Sequence, residues 1–294
     1  MGGRAGWRFE AIGTSWEIET SHPLDDVVQS EVQRVIDAFD REWSRFREDS
    51  AVTALARAGG AVAAPRDAAA MLDAYAQLSE ATAGAVNPLV GDALARRGYD
   101  LGGSFVDRGP TPAPANWRER LTWDEASLTL DGPALIDVGA LGKGRLVDLV
   151  LDVVLRAAPG DVVVDASGDL AVRGAPQRIG LEHPFDPRRA IGVWEVTDAA
   201  LCASATNRRA WGDGLHHVLD ARTGVPVRTI AATWAVAESA MRADALATAL
   251  FFDGGPRLAH DWGCEWVRMT TDGRVEWSPG CRAELFVRTD SVER

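Results

Sequence analysis

From Asp161 to Leu219 the chain reads as a succession of short strand patterns: Asp161–Asp165, Leu170–Arg173, Arg178–Glu182, Ile191–Val196, Ala199–Ala203 and His216–Leu219. Helical patterns stand mostly on either side of this block. Val28, Val32, Val35, Ile36, Phe39 and Trp43 recur at three- and four-residue steps and form one apolar stripe. A second helix is expected from about Arg66 to Ala83, with Met71, Leu72, Tyr75 and Leu78 on one face, Pro65 before it and Gly84 after it. A third spans about Gly144 to Ala157, and an alanine-rich fourth spans about Ser239 to Phe252. Strands and helices in blocks, without strict alternation, predict an α+β fold of mixed or antiparallel sheets with packed helices. A doubly wound parallel sheet would alternate them.

Further strand patterns are Arg8 to Thr20, a hairpin of Leu121–Trp123 with Leu128–Leu130, Ala134 to Asp137, Thr233 to Ala237, and a meander from Cys264 to Val287. The stretch Gly102 to Trp117 is rich in Gly, Pro and polar residues and reads as a surface loop, mobile around residues 102–117. No internal repeat divides the 294 residues, and the expectation is one large domain over residues 1–294.

A formal net charge of -12 argues against non-specific nucleic-acid or anionic-membrane partners. Cys202, Cys264 and Cys281 are widely spaced, which fits neither a zinc site nor a disulfide framework. The first ten residues hold no apolar signal-peptide core, and no segment approaches the roughly 18 apolar residues of a membrane span. A cytoplasmic protein without membrane insertion is expected.

Several segments carry groups suited to chemistry. In Ile136-Asp-Val-Gly-Ala-Leu-Gly-Lys-Gly144 an acid is followed by a glycine-rich turn and a helix start, where backbone N–H groups and Lys143 suit an anion. A plain strand-to-helix connection explains the same residues. Asp244 and Thr248 stand four apart on one helical face and form a hard-oxygen pair suited to Mg²⁺. A threonine bonded back to a carbonyl is the alternative. His216 and His217 precede a tight turn at Asp220–Gly224, and histidine is well poised for proton transfer. Asp165-Ala-Ser-Gly-Asp169 suits a hairpin turn or, second, a ligand-facing pair of acids.

In chain order these segments resemble the ApbE family, the FAD:protein FMN transferases. The resemblance runs from about Phe9 to Gly254. It is carried by Ala11-Ile-Gly-Thr14, Ser44-Arg-Phe-Arg-Glu-Asp-Ser50, Gly84-Ala-Val-Asn-Pro88, Gly98-Tyr-Asp100, Ile136 to Gly144, Asp165 to Gly168, His217 to Gly224 and Ala243 to Thr248. Departures are Ile12 where methionine is usual, Asn87 for the more usual aspartate, and Ala203-Ser-Ala205 with Thr206-Asn-Arg-Arg209 in place of the usual continuation.

The resemblance implies a magnesium site of Asp244, Thr248 and the Ala140 carbonyl. It implies FAD contacts at Ile12, Phe46, Ala85, Val86, Asn87, Asp137, Lys143 and His217, with His217 as base and Asp244 as the charged metal ligand. The implied reaction is Mg²⁺-dependent transfer of FMN from FAD, as substrate, to a Thr or Ser hydroxyl of an acceptor flavoprotein, releasing AMP. Transfer should then fall as pH drops through the histidine range, roughly 6 to 7. The rivals are a magnesium-dependent FAD pyrophosphatase and a noncatalytic FAD carrier.

Overall fold

The computed structural model describes residues 4–286. Met1 to Gly3 of the N-terminal reading, and Val287 of the expected meander, lie outside them. Eight strands form one sheet in the order Ala5–Ala11, Thr14–Thr20, Val162–Asp165, Asp169–Arg173, Ala200–Ala205, Ile230–Ala237, Glu265–Thr270 and Val275–Trp277. Every neighbouring pair is antiparallel. The α+β expectation is met.

Alternation along the strands divides the core between the two faces. Val162, Val164, Ala200, Cys202, Ala235 and Ala237 face the helices Asp26–Trp43, Ala68–Ala81, Gly142–Ala157 and Ala240–Ala249. Val163, Leu201, Trp234 and Val236 point the other way, onto Leu181, Ile191 and Trp194 of a three-stranded sheet, Gln177–Glu182, Ala190–Val196 and Glu284–Leu285. With both faces covered, Ile230–Ala237 is buried at every residue, which accounts for its apolar sequence.

The helix Asp26–Trp43 buries Val32, Ile36, Phe39 and Trp43, and the Asp25 side chain caps it by accepting the Val28 N–H. The helix Ala240–Ala249 is capped twice. Ser239 Oγ accepts the Arg242 N–H, and the Asp148 carboxylate accepts the N–H groups of Ala240 and Met241 at 2.7 and 2.9 Å. Asp148 belongs to the helix Gly142–Ala157, so one carboxylate fixes the start of the second helix against the first.

Three expectations change. The strand Arg8 to Thr20 is a hairpin, reversed at Ile12 and Gly13, both at positive φ (46° and 74°). A two-residue hairpin turn of this kind needs two left-handed residues, and a β-branched one is costly there. Ala134 to Asp137 pairs with no strand among the described residues; the Asp137 N–H bonds instead to Pro88 O at 2.8 Å. His216 to Leu219 is broken into Leu215–His216 and Leu219–Asp220, with His217 in the bend between them. The helices Ala51–Ala58, Gly91–Arg96 and Gly255–Asp261 are additional.

Residues 102–116 carry no regular structure, and the helix Trp117–Arg120 follows. Backbone bonds from Phe105 to Gly98, Arg108 to Arg96 and Ala113 to Ala221 tie the segment along its length. No helix among the described residues is long and apolar enough to cross a membrane.

Candidate active site

The start of one helix meets the middle of another at the expected metal residues. Asp244 and Thr248 lie one turn apart on Ala240–Ala249, and Ala140 lies in the turn that opens Gly142–Ala157. Thr248 Oγ1 donates to Ala140 O at 3.2 Å. The buried Asp244 accepts the Gly144 N–H at Oδ2, 2.9 Å away. Burial and the nearby Asp169 carboxylate push the Asp244 carboxyl well above the usual range, while Lys143, the Gly144 N–H and Arg209 pull it back. Among the described residues no group of three or more His, Cys, Asp or Glu side chains is placed to hold a metal. A carboxylate, a hydroxyl and a main-chain carbonyl are hard oxygen donors, and a set with one charge and few protein ligands fits Mg²⁺.

The turn from Asp137 to Ala140 is held from behind by Tyr75. Its hydroxyl donates to Asp137 O at 3.0 Å and accepts from the Ala140 N–H at 3.3 Å. Burial, and the Asp137 charge next to it, raise the Tyr75 phenol well above its ordinary value, so it stays a neutral donor. The Asp137 side chain is engaged at both oxygens. Oδ1 accepts the Gly139 N–H at 2.7 Å, and Oδ2 accepts Arg45 Nε.

Lys143, expected to meet the ligand, has protein partners. Its ammonium lies 2.8 Å from Ala166 O and 3.3 Å from Ser167 O. It also lies 3.2 Å from Asp169 Oδ2. Among the described residues neither oxygen of the fully buried Asp169 has a hydrogen bond of good geometry. At that distance the contact is still a close ion pair, and the short separation outweighs the poor alignment. Asp165 to Asp169 forms a hairpin turn with Ser167 and Gly168 at positive φ, which favours the first of its two sequence readings.

The two histidines separate cleanly. His216 Nε2 bonds with Val227 O at 2.8 Å, and its Nδ1 accepts the Val218 N–H. His217 is half-buried; its Nδ1 is buried and, among the described residues, has no partner of good geometry, while a backbone hydrogen bond with Arg209 acts to raise the ring's pKa. Burial first, then the charges of Arg209, His216 and Lys143, push its pKa down to about 3. Arg209 and Lys143 are also the cations acting on Asp244, so imidazole and carboxylate share one electrostatic environment. Against the expectation of a base lost through pH 6 to 7, burial and the neighbouring cations favour the neutral imidazole to lower pH.

Ala85, Val86 and Asn87 are buried, Ile12 is half-buried and Phe46 is 44% exposed. Asn87 donates to Pro114 O and accepts the Leu89 N–H, both at 2.9 Å, so its amide joins two chain segments. It also lines an open cleft of about 900 Å³ with Ser79, Gly84, Ala113, Trp117 and Ala221. No other expected ligand residue lines that cleft. Sequence reading missed Arg45 and Tyr75, and took Asp169 only as one of two acids flanking a turn, not as the partner of Lys143. Arg45 lay inside a quoted motif, whereas nothing in the pattern marked Tyr75 as more than a core aromatic.

A family model described as the ApbE family matches residues 12–266. A FAD:protein FMN transferase of Rhodobacter capsulatus is 26% identical, with 94% of this chain and 57% of the relative covered; the chain thus spans little more than half of that protein. A FAD:protein FMN transferase of Treponema pallidum (strain Nichols) is 28% identical, with 76% and 70% covered. Among solved structures, the ApbE protein of Thermotoga maritima superposes with a TM-score of 0.80 at 23% identity, covering 94% of this chain and 97% of that one. The flavin transferase ApbE of Vibrio cholerae gives 0.77 at 22% identity, with 94% and 97% covered. These likenesses show the shared fold.

Proposed function

The chain belongs to the ApbE family, and from that premise we propose that it transfers FMN from FAD to a Thr or Ser hydroxyl of an acceptor flavoprotein in the cytoplasm, releasing AMP. Residues 1–294 act as one domain in this reading. The observation that carries it is the meeting of Asp244, Thr248 and Ala140 O in the electrostatic environment of a neutral, half-buried His217.

In the reaction the acceptor oxygen forms a bond to the FMN-side phosphorus of FAD. The bridging P–O bond to the AMP phosphate breaks, and AMP leaves with that bond's electron pair. His217 takes the hydroxyl proton at a ring nitrogen; burial keeps that ring neutral and free to accept, and the same lowered pKa weakens it as a base. Asp244, Thr248 and the Ala140 carbonyl would hold Mg²⁺, which when bound neutralises charge on the phosphate oxygens. Ile12, Phe46, Ala85, Val86, Asn87 and Asp137 contact FAD. Lys143, held by Asp169, supports the turn and adds positive potential at a distance.

The test is AMP release from FAD and Mg²⁺ with and without an acceptor. AMP only when acceptor is present supports transfer. AMP without acceptor means that water is the nucleophile and the protein is a pyrophosphatase. No AMP in either arm leaves a noncatalytic carrier.

A further inference from the structure

Arg45 follows Ser44, the residue that closes the helix Asp26–Trp43, and is 4% exposed. Its Nε pairs with Asp137 Oδ2, and its Nη1 donates to Tyr99 O at 2.7 Å. Its guanidinium carbon lies 4.2 Å from the Phe46 ring centroid and 4.7 Å from that of Tyr99. Phe46 and Tyr99 meet edge to face at 5.2 Å, and Tyr99 stacks on Trp211 at 5.3 Å. One planar cation therefore touches a carboxylate, a carbonyl and two rings brought from three distant parts of the chain. Nη2 is buried and has no partner among the described residues.

We propose that Arg45 is the positioning residue of the flavin site, fixing the Phe46 ring and the Asp137 carboxylate in one geometry. The inference rests on the functional reading above, in which both residues contact FAD. An ionised carboxylate accepts hydrogen bonds and donates none. Held by Arg45 at one oxygen and the Gly139 N–H at the other, Asp137 keeps lone pairs only for an N–H or O–H donor on the ligand. A flavin lying on Phe46 meets that acceptor already oriented. The cost of ordering two side chains is met on folding and not on binding. Arginine is needed for this, because a lysine ammonium cannot bridge Asp137 and Tyr99 O in one plane while stacking on two rings.

The experiment is a fluorescence titration of FAD, with Mg²⁺, into wild type, Arg45→Lys, Asp137→Asn and the double variant, beside thermal unfolding of each without FAD. Asp137→Asn keeps the side-chain shape, so the comparison survives if an Arg45 variant folds poorly. Each single variant is expected to weaken FAD about tenfold, the scale of one charge-assisted hydrogen bond. The double variant should be no worse than the weaker single one. In turnover, KM for FAD should rise while kcat holds. Variants that melt earlier yet bind FAD as wild type does, or single losses that simply add, overturn the proposal and leave Arg45 a packing residue. Wild type that fails to bind FAD removes the functional reading, and this inference with it.

Discussion

Gly144 touches Asp244 so closely that no side chain fits between them. A Cβ at 144 would lie 2.7 Å from Asp244 Cβ and 2.2 Å from Ala240 O. The missing side chain allows the Gly144 N–H to reach the carboxylate and brings two helices together at the candidate metal site. Gly144→Ala should therefore force the helices apart. Overpacking of this kind typically costs about 1–3 kcal/mol. Urea unfolding should show the loss, and FAD cleavage should fall with it. A variant of wild-type stability and rate would mean that the helix contact is loose.

Lys143 and Asp169 form the next test. Removing the ammonium leaves a carboxylate buried among strands without a counter-charge. Lys143→Ala is expected to destabilise by about 3 kcal/mol, the lower end for a stranded buried charge. Asp169→Asn in the same chain should restore much of it. Direct ligand contact by Lys143 predicts a different outcome: little change in unfolding, weaker FAD binding, and no rescue by the second substitution.

The histidines should part in both rate and stability. His217→Ala should lower single-turnover transfer at saturating FAD by about 10²–10⁴, the usual worth of a positioned base. His216→Ala should leave that rate alone but cost about 1 kcal/mol or more of stability through its bonds to Val227 O and the Val218 N–H. With the His217 pKa near 3, the neutral base form persists from pH 8 down to 5. The single-turnover rate should be flat there on its account. A titration centred between 6 and 7 that disappears in His217→Ala would show a solvated imidazole instead.

The fold was legible where one period governed a segment. The stripe from Val28 to Trp43 and the alternation at Val162–Val164 follow directly from which atoms must leave water. The hairpin at Ile12–Gly13 was not, because isoleucine is among the residues least suited to positive φ and gave no turn signal. Ala134 to Asp137 has the apolar character of a strand, but its backbone finds Pro88 in place of a ladder. At the site, spacing was enough to put Asp244 and Thr248 on one helical face, as Ala240–Ala249 shows, while their role as metal ligands came from the family resemblance. The partners of Asp137 and Lys143 were not, since Arg45 and Asp169 reach them across the fold and local pattern carries no record of such pairs.

Group transfer and a metal held at Asp244 are joined in one experiment. Intact-mass analysis of a flavin-free acceptor flavoprotein, incubated with this protein, FAD and Mg²⁺, tests both most directly when AMP is quantified in the same sample. One FMN added per acceptor at a Thr or Ser is expected, with an equal amount of AMP, and loss of both in Asp244→Asn and on chelation, with the variant still folded. AMP without labelled acceptor, or labelling that persists at the wild-type rate in Asp244→Asn, would contradict group transfer with a metal held at Asp244.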